Sequence, residues 1–148
     1  MSDIRIREAD YDADYAAIRA IRFAVFVDEQ QVPPQLEMDE RDAECIHVLA
    51  LVDGIPVGTG RLDLAKRGKI GRVAALSDAR GRGVGRALME HLHDIATRCG
   101  LAEVWCHAQV SAAPFYERLG YETIGEVFEE AGIDHVRMQK RLRATTDE

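Results

Sequence analysis

The chain predicts a single domain of mixed α/β class with the element order β-α-β-β-β-α-β-α-β-β. Three observations carry this reading. Seven runs of strand length are apolar or alternate apolar with polar. Asp53-Gly54 sits between two of them, which is a two-residue hairpin signal. A segment of helical period separates the run at 70–76 from the run at 101–107. A helix in that place returns the chain and makes the two strands parallel.

The elements follow in order. Ile4-Arg5-Ile6-Arg7 alternates and predicts the first strand. Asp10 to Asp14 offers N-caps for a helix that runs to about Val27, with Ile18, Ile21, Val25 and Phe26 turned inward. Residues 28–42 show no period, hold Pro33-Pro34 and an acidic string, and predict a long loop of functional kind. Residues 45–52 and 55–64 form the hairpin, and Lys66-Arg67-Gly68-Lys69 turns the chain into the central strand at 70–76. In the next segment Val84, Leu88, Leu92 and Ile95 share one helical face, and Gly100 suits its C-cap. A strand at 101–107 follows. Ser111 is the expected cap of a short helix over 112–119 that Gly120 closes. Strands at 121–128 and 133–142 end the domain. Its expected extent is 1–143, with 144–148 as a frayed tail.

Composition bounds the function. At 148 residues, 47% hydrophobic and 30% charged, the chain can bury a full core. No apolar run is long enough for a membrane span, and MSDIRIREAD lacks the apolar stretch of a signal peptide. Cys45, Cys99 and Cys106 lie in predicted strands or a helix without C-x-x-C spacing. They read as buried reduced thiols of a cytoplasmic protein, with no metal site. The net charge of −7 argues against nucleic-acid binding. Yet the segment from Arg61 to Arg86 carries eight basic residues against two acidic ones. A local positive patch on an acidic protein suits a small anionic ligand.

That ligand has a cradle. Arg80-Gly81-Arg82-Gly83-Val84-Gly85-Arg86 lies between a strand and a helix start. The order exposes backbone N–H groups at a helix N-terminus, where phosphate binds. No Lys-Ser or Lys-Thr follows, so it is not a Walker loop. Arg86 stands where a dinucleotide fingerprint needs its third glycine. The pattern present is Arg80-x-x-Gly83-x-Gly85. It resembles the acetyl-CoA pyrophosphate loop of the GCN5-related N-acetyltransferase superfamily. A second segment, Ala108 to Tyr121 with Phe115-Tyr116 and Gly120-Tyr121 inside it, resembles that family's A-x-x-x-x-x-x-F-Y-x-x-x-G-[FY] motif. Arg22 to Gln30, Glu37-x-Asp39-x-x-Asp42, His47 and the ending Glu129 to Met138 resemble its small bacterial ElaA and YjcF types.

The resemblance implies a sheet whose parallel central strands diverge around the pantetheine arm. It implies acetyl-CoA as co-substrate, bound by Val73, Ala74, Ala75, Arg80, Gly81, Arg82, Gly83, Val84, Gly85, Arg86, Phe115 and Tyr116. Direct attack by a primary amine of a small molecule or peptide is the expected reaction. The Ala75 N–H is the expected holder of the oxyanion, and Tyr116 the acid that expels a thiolate of pKa ~8.5. Candidates for the base are Glu29, Glu37, Asp39, His47, His107 and His135, with His107 at the end of the strand beside the central one. Phe26, Glu29, Glu37, Asp39 and His135 are candidates for the acceptor side, where the acidic loop hints at a cationic amine. A homodimer is compatible with this reading. Two alternatives stay open at this stage. R-x-x-V-F and E-x-D-x-x-D also resemble acyl-homoserine-lactone synthases, which use acyl carrier protein and S-adenosylmethionine. A non-catalytic CoA-binding module is the other.

Overall fold

A computed structural model describes residues 3–142; the expected tail at 144–148 lies outside them. Seven strands form one mixed sheet, and four α-helices accompany it. The strands are β1 (Ile4–Ala9), β2 (Ile46–Val52), β3 (Ile55–Asp63), β4 (Lys69–Ala75), β5 (Glu103–Gln109), β6 (Glu122–Glu130) and β7 (Ile133–Arg141). Their order across the sheet is β1-β2-β3-β4-β5-β7-β6. Every neighbouring pair is antiparallel except β4 and β5.

The helices are α1 (Tyr15–Arg22), α2 (Pro34–Glu37), α3 (Val84–Arg98) and α4 (Ala113–Arg118). They lie on both faces of the sheet, and the strand pattern explains why. On β2, Val48 and Ala50 pack in the cluster that holds Val84, Leu88 and Leu92 of α3. Leu49, between them, packs with Ile18, Ile21 and Val25 at the opposite face. A strand buried on both sides reads as a continuous apolar run, as 48–51 does.

One irregularity in β4 decides where side chains go. Thr59 pairs with Ala74, but Arg61 pairs with Gly71, so Arg72 and Val73 together oppose Gly60. Arg72 has φ 52° at this β-bulge. The extra residue inverts the facing. Ile70 lies in the α3-side core, whereas Ala74, four residues on, lies in the α1-side core.

β4 and β5 then part. Lys69 opposite Trp105 is their one registered pair. Beyond it a wedge-shaped gap opens in the middle of the sheet, as the resemblance implied.

Four local expectations are corrected. The first helix does not stop at Val27 but continues as a π-helix over Phe23–Glu29. The aperiodic stretch at 28–42 contains α2, and a 3₁₀ turn, Asp42–Glu44, follows from it. Ser111 does not cap α4; it lies inside a 3₁₀ turn, and Ala112 occupies the N-cap. Of the three cysteines, all free, only Cys106 is buried, while Cys99 is exposed at a helix end.

Candidate functional site

The gap between β4 and β5 is entered by two clefts. The first, of ≈ 640 Å³, lies on the α3 side. Its walls come from Val73, Ala74 and Ala75 of β4, the loop at 80–86 and α4 with Phe115 and Tyr116. Gly83 sits at the N-cap of α3 with φ 84° and no side-chain cap. A Cβ there would be strained by backbone conformation alone. No acidic residue occupies the first turn, so the N–H groups of α3 face the cleft uncompensated. Gly85 is constrained differently: a Cβ would stand 3.3 Å from the Phe115 ring.

Leu76 donates its N–H to the Val57 carbonyl on β3. Alternation along the strand therefore turns the N–H groups of Ala75 and Val73 to the other edge, toward the gap. The Ala75 carbonyl is already taken by Arg80 Nε at 2.9 Å. Arg80 also pairs with Glu29 at 2.7 Å. Arg86 lines the cleft and pairs with Glu90 at 3.0 Å. Arg82 is exposed on the loop and does not line the cleft.

The second cleft, of ≈ 330 Å³, lies between the end of the π-helix, α2, the open part of β4 and β5, and the β6–β7 hairpin. Phe26, Val32, Leu36 and Ile133 supply apolar wall, and Lys69, Arg72, Glu37, Glu130, His107 and His135 supply charge or titratable groups. Gln109 of β5 donates to the Gln30 side chain at 2.6 Å and ties the two walls together.

His107 donates its Nδ1–H to Glu130 Oε1, 2.9 Å away. Its ring stands edge-on to Trp105 and Phe128. Burial, and then the neighbouring Lys69 ammonium, lower its pKa against the pull of Glu130. His107 is therefore neutral at pH 7 and able to take a proton. His135 Nδ1 donates to the Ile133 carbonyl at 2.7 Å, which leaves Nε2 as an acceptor.

Val73, Ala112 and Tyr116 line both clefts, so the two meet there. Tyr116 packs edge-on against Phe115 and Tyr121. Burial, helped by Cys106, raises its phenol pKa well above the ordinary value, so it stays protonated.

The acidic loop has another occupation. Arg22, fully buried, pairs with Glu37 at 2.9 Å and with Asp42 at 2.8 Å. Arg61 pairs with Asp39 and Asp42, and Arg72 with Glu37 and Asp39. Burial opposes the charge on Asp39, but Arg61 and Arg72 hold its pKa at about 2. Burial pushes Glu37 up against Arg72 and Arg22. His47 contacts the Asp42 carbonyl at 2.8 Å and stacks on Tyr11.

Of the acceptor-side candidates, the structure thus brings Phe26, Glu37, His107 and His135 to one cleft. Glu29 lies instead on Arg80, and Asp39 lies in the arginine network. Lys69, Glu130, Gln30 and Gln109 join the cleft without having been singled out for it. No cluster of three or more metal-ligating side chains occurs among the described residues, and no helix among them is long and apolar enough to cross a membrane.

Known proteins are similar to this chain in sequence and fold. The family model described as "Acetyltransferase (GNAT) domain" matches residues 9–142. The uncharacterized N-acetyltransferase YjcF of Bacillus subtilis is 38% identical over 122 residues, covering 81% of this chain and 87% of its own. The protein ElaA of Escherichia coli is 30% identical over 146 residues, covering 95% of each. The crystal structure of an acyl-CoA N-acyltransferase from Pseudomonas aeruginosa superposes with a TM-score of 0.81 at 32% identity, covering 95% of this chain and 99% of that one.

Proposed function

The chain belongs to the acetyltransferase (GNAT) domain family, and from that premise we propose that it transfers the acetyl group of acetyl-CoA directly to a primary amine of a small molecule or peptide. The observation that carries this reading is the meeting of two clefts at Val73, Ala112 and Tyr116. A donor and an acceptor entering from opposite faces would touch only there.

The residues present fit the donor. The uncapped start of α3, with Arg80 and Arg86, suits a diphosphate. The open edge of β4 offers N–H groups to a pantetheine amide, in place of the strand partner that β5 ceases to be. Acetyl-CoA supplies an activated thioester and needs no covalent step on the protein. Val73, which lines both clefts, is better placed than Ala75 to hold the carbonyl oxygen as negative charge builds on it. Tyr116 Oη gives the proton to the departing sulfur. His107, with Glu130 behind it, takes the proton that the attacking amine gives up.

Titration calorimetry with acetyl-CoA, followed by free-thiol release across a panel of amines, tests the reading. Gly83→Asp puts a carboxylate at the helix start in a strained conformation and should abolish binding in a folded protein. Wild-type affinity in that variant would remove the loop from the donor site. Failure of the wild-type protein to bind acetyl-CoA would remove the function.

A further inference from the structure

Four charged side chains line the acceptor cleft, and three are committed. Glu37 and Arg72 pair with each other at 3.1 Å, and Arg72 NH2 reaches Asp39 and the Leu36 carbonyl. Glu130 is engaged by His107. Lys69 has no carboxylate within ion-pair distance among the described residues. Its Nζ stands 5.3 Å from the Trp105 ring centroid, at the closed end of the wedge where β4 still pairs with β5. Glu130 keeps its charge, because His107 is neutral, but it lies beyond ion-pair distance of Lys69, so Lys69 is the one half-buried cation of the cleft without an ion-pair partner, at the end remote from Tyr116.

We propose that Lys69 holds the carboxylate of an amino-acid-like acceptor, whose amine is presented to the thioester at Val73 and Tyr116. The proposal rests on the acetyltransferase reading and names its substrate class. Dimension supports it. Four residues of strand, from Lys69 to Val73, span ~13 Å, less at a bulge. Removing a contact of ~3 Å at each end leaves about 7 Å or less between carboxylate and amine. That range covers α- to γ-amino acids. A volume of ≈ 330 Å³ suits a molecule of that size. The apolar wall of Phe26, Val32, Leu36 and Ile133 would receive its side chain. A diamine fits badly, because its second ammonium would face Lys69, while Glu37 is already neutralised by arginines and Glu130 is held by His107. Burial destabilises the Lys69 ammonium, against the pull of Glu130 and with Lys66, Arg61 and Arg72 adding to it, so an incoming anion gains more there than at an exposed lysine.

The test is thiol release at saturating acetyl-CoA with α-, β- and γ-amino acids, their primary amides, and diamines of equal length. At least one acid should exceed its amide by about tenfold or more in kcat/KM, with diamines lowest. Lys69→Met should raise KM for the acid about tenfold or more with kcat little changed, and should erase the preference for acid over amide. Lys69→Arg should retain that preference, which a merely structural role would not require. Amides or diamines equal to the acids would overturn the proposal, as would a preference that survives Lys69→Met. A protein that binds acetyl-CoA calorimetrically and acetylates none of these acids also overturns it, leaving the donor site intact. Absence of acetyl-CoA binding overturns the parent reading and this one together.

Discussion

Tyr116 carries its weight through position. Its ring is wedged between Phe115 and Tyr121 while its side chain borders both clefts. Loss of the hydroxyl should leave the packing intact and remove the proton donor. Tyr116→Phe is expected to lower kcat by ~10²-fold with little change in acetyl-CoA affinity, measured by turnover and calorimetry on one preparation. Turnover at the wild-type rate would assign the proton to water. Tyr116 was legible because Phe-Tyr sits in a recognisable segment. Lys69 and Glu130 were not, because each matters only through groups on strands distant in sequence. Glu29 shows the converse: an acid at a helix end reads as an acceptor ligand, and only the fold reveals that Arg80 has claimed it.

Among the elements, the first loop is the instructive one. Its acids look like a solvated or substrate-facing charge run. In the fold, Glu37, Asp39, Asp42 and Asp63 meet Arg22, Arg72, Arg61 and Arg41, so the charges balance within the protein. The network fastens α2 and the segment after it to β3 and β4, and so builds one wall of the acceptor cleft. Asp42 is fully buried between Arg22 and Arg61. Asp42→Ala takes from Arg22 and Arg61 one of the two carboxylates that each holds and should cost about 3 kcal/mol in urea unfolding. The exposed Glu40→Ala should change stability by no more than about 0.5 kcal/mol. Equal effects would mean that the network contributes no more than a surface pair. The bulge at Arg72 belongs to the same scale. The positive φ falls on Arg72 and not on Gly71 beside it, and the run at 70–76 reads in the sequence as one unbroken strand.

The whole molecule has a weakness at acid pH that follows from burial on both faces of the sheet. His47 is buried on the α1 side, and His93 is buried against the Tyr121 hydroxyl, 2.7 Å away, on the α3 side. Burial lowers the pKa of both, that of His93 to about 4. A depressed native pKa means that the unfolded chain binds the proton more readily. The stabilisation is complete above the unfolded value of ~6.5 and is lost as pH falls toward 4. For His93 the loss amounts to roughly 3 kcal/mol at most. Urea midpoints at pH 7, 5.5 and 4.5 should fall steadily, and less steeply in His93→Gln. Identical slopes in the two proteins would place the acid sensitivity elsewhere.

By itself, the sequence determined the order of the seven strands and of three of the four α-helices, the parallel step between β4 and β5, and the glycine-rich helix start. Those features are local: period, turn chemistry and φ preference act within a few residues. Only the tertiary structure decided which charges are spent and which are free. It showed that Glu37 and Asp39 answer to arginines, that Glu29 belongs to Arg80, and that Lys69 is left unanswered in the cleft. Ion pairing depends on distance and dielectric between segments up to 51 residues apart, as Glu29 and Arg80 are, and no local pattern in the chain records it.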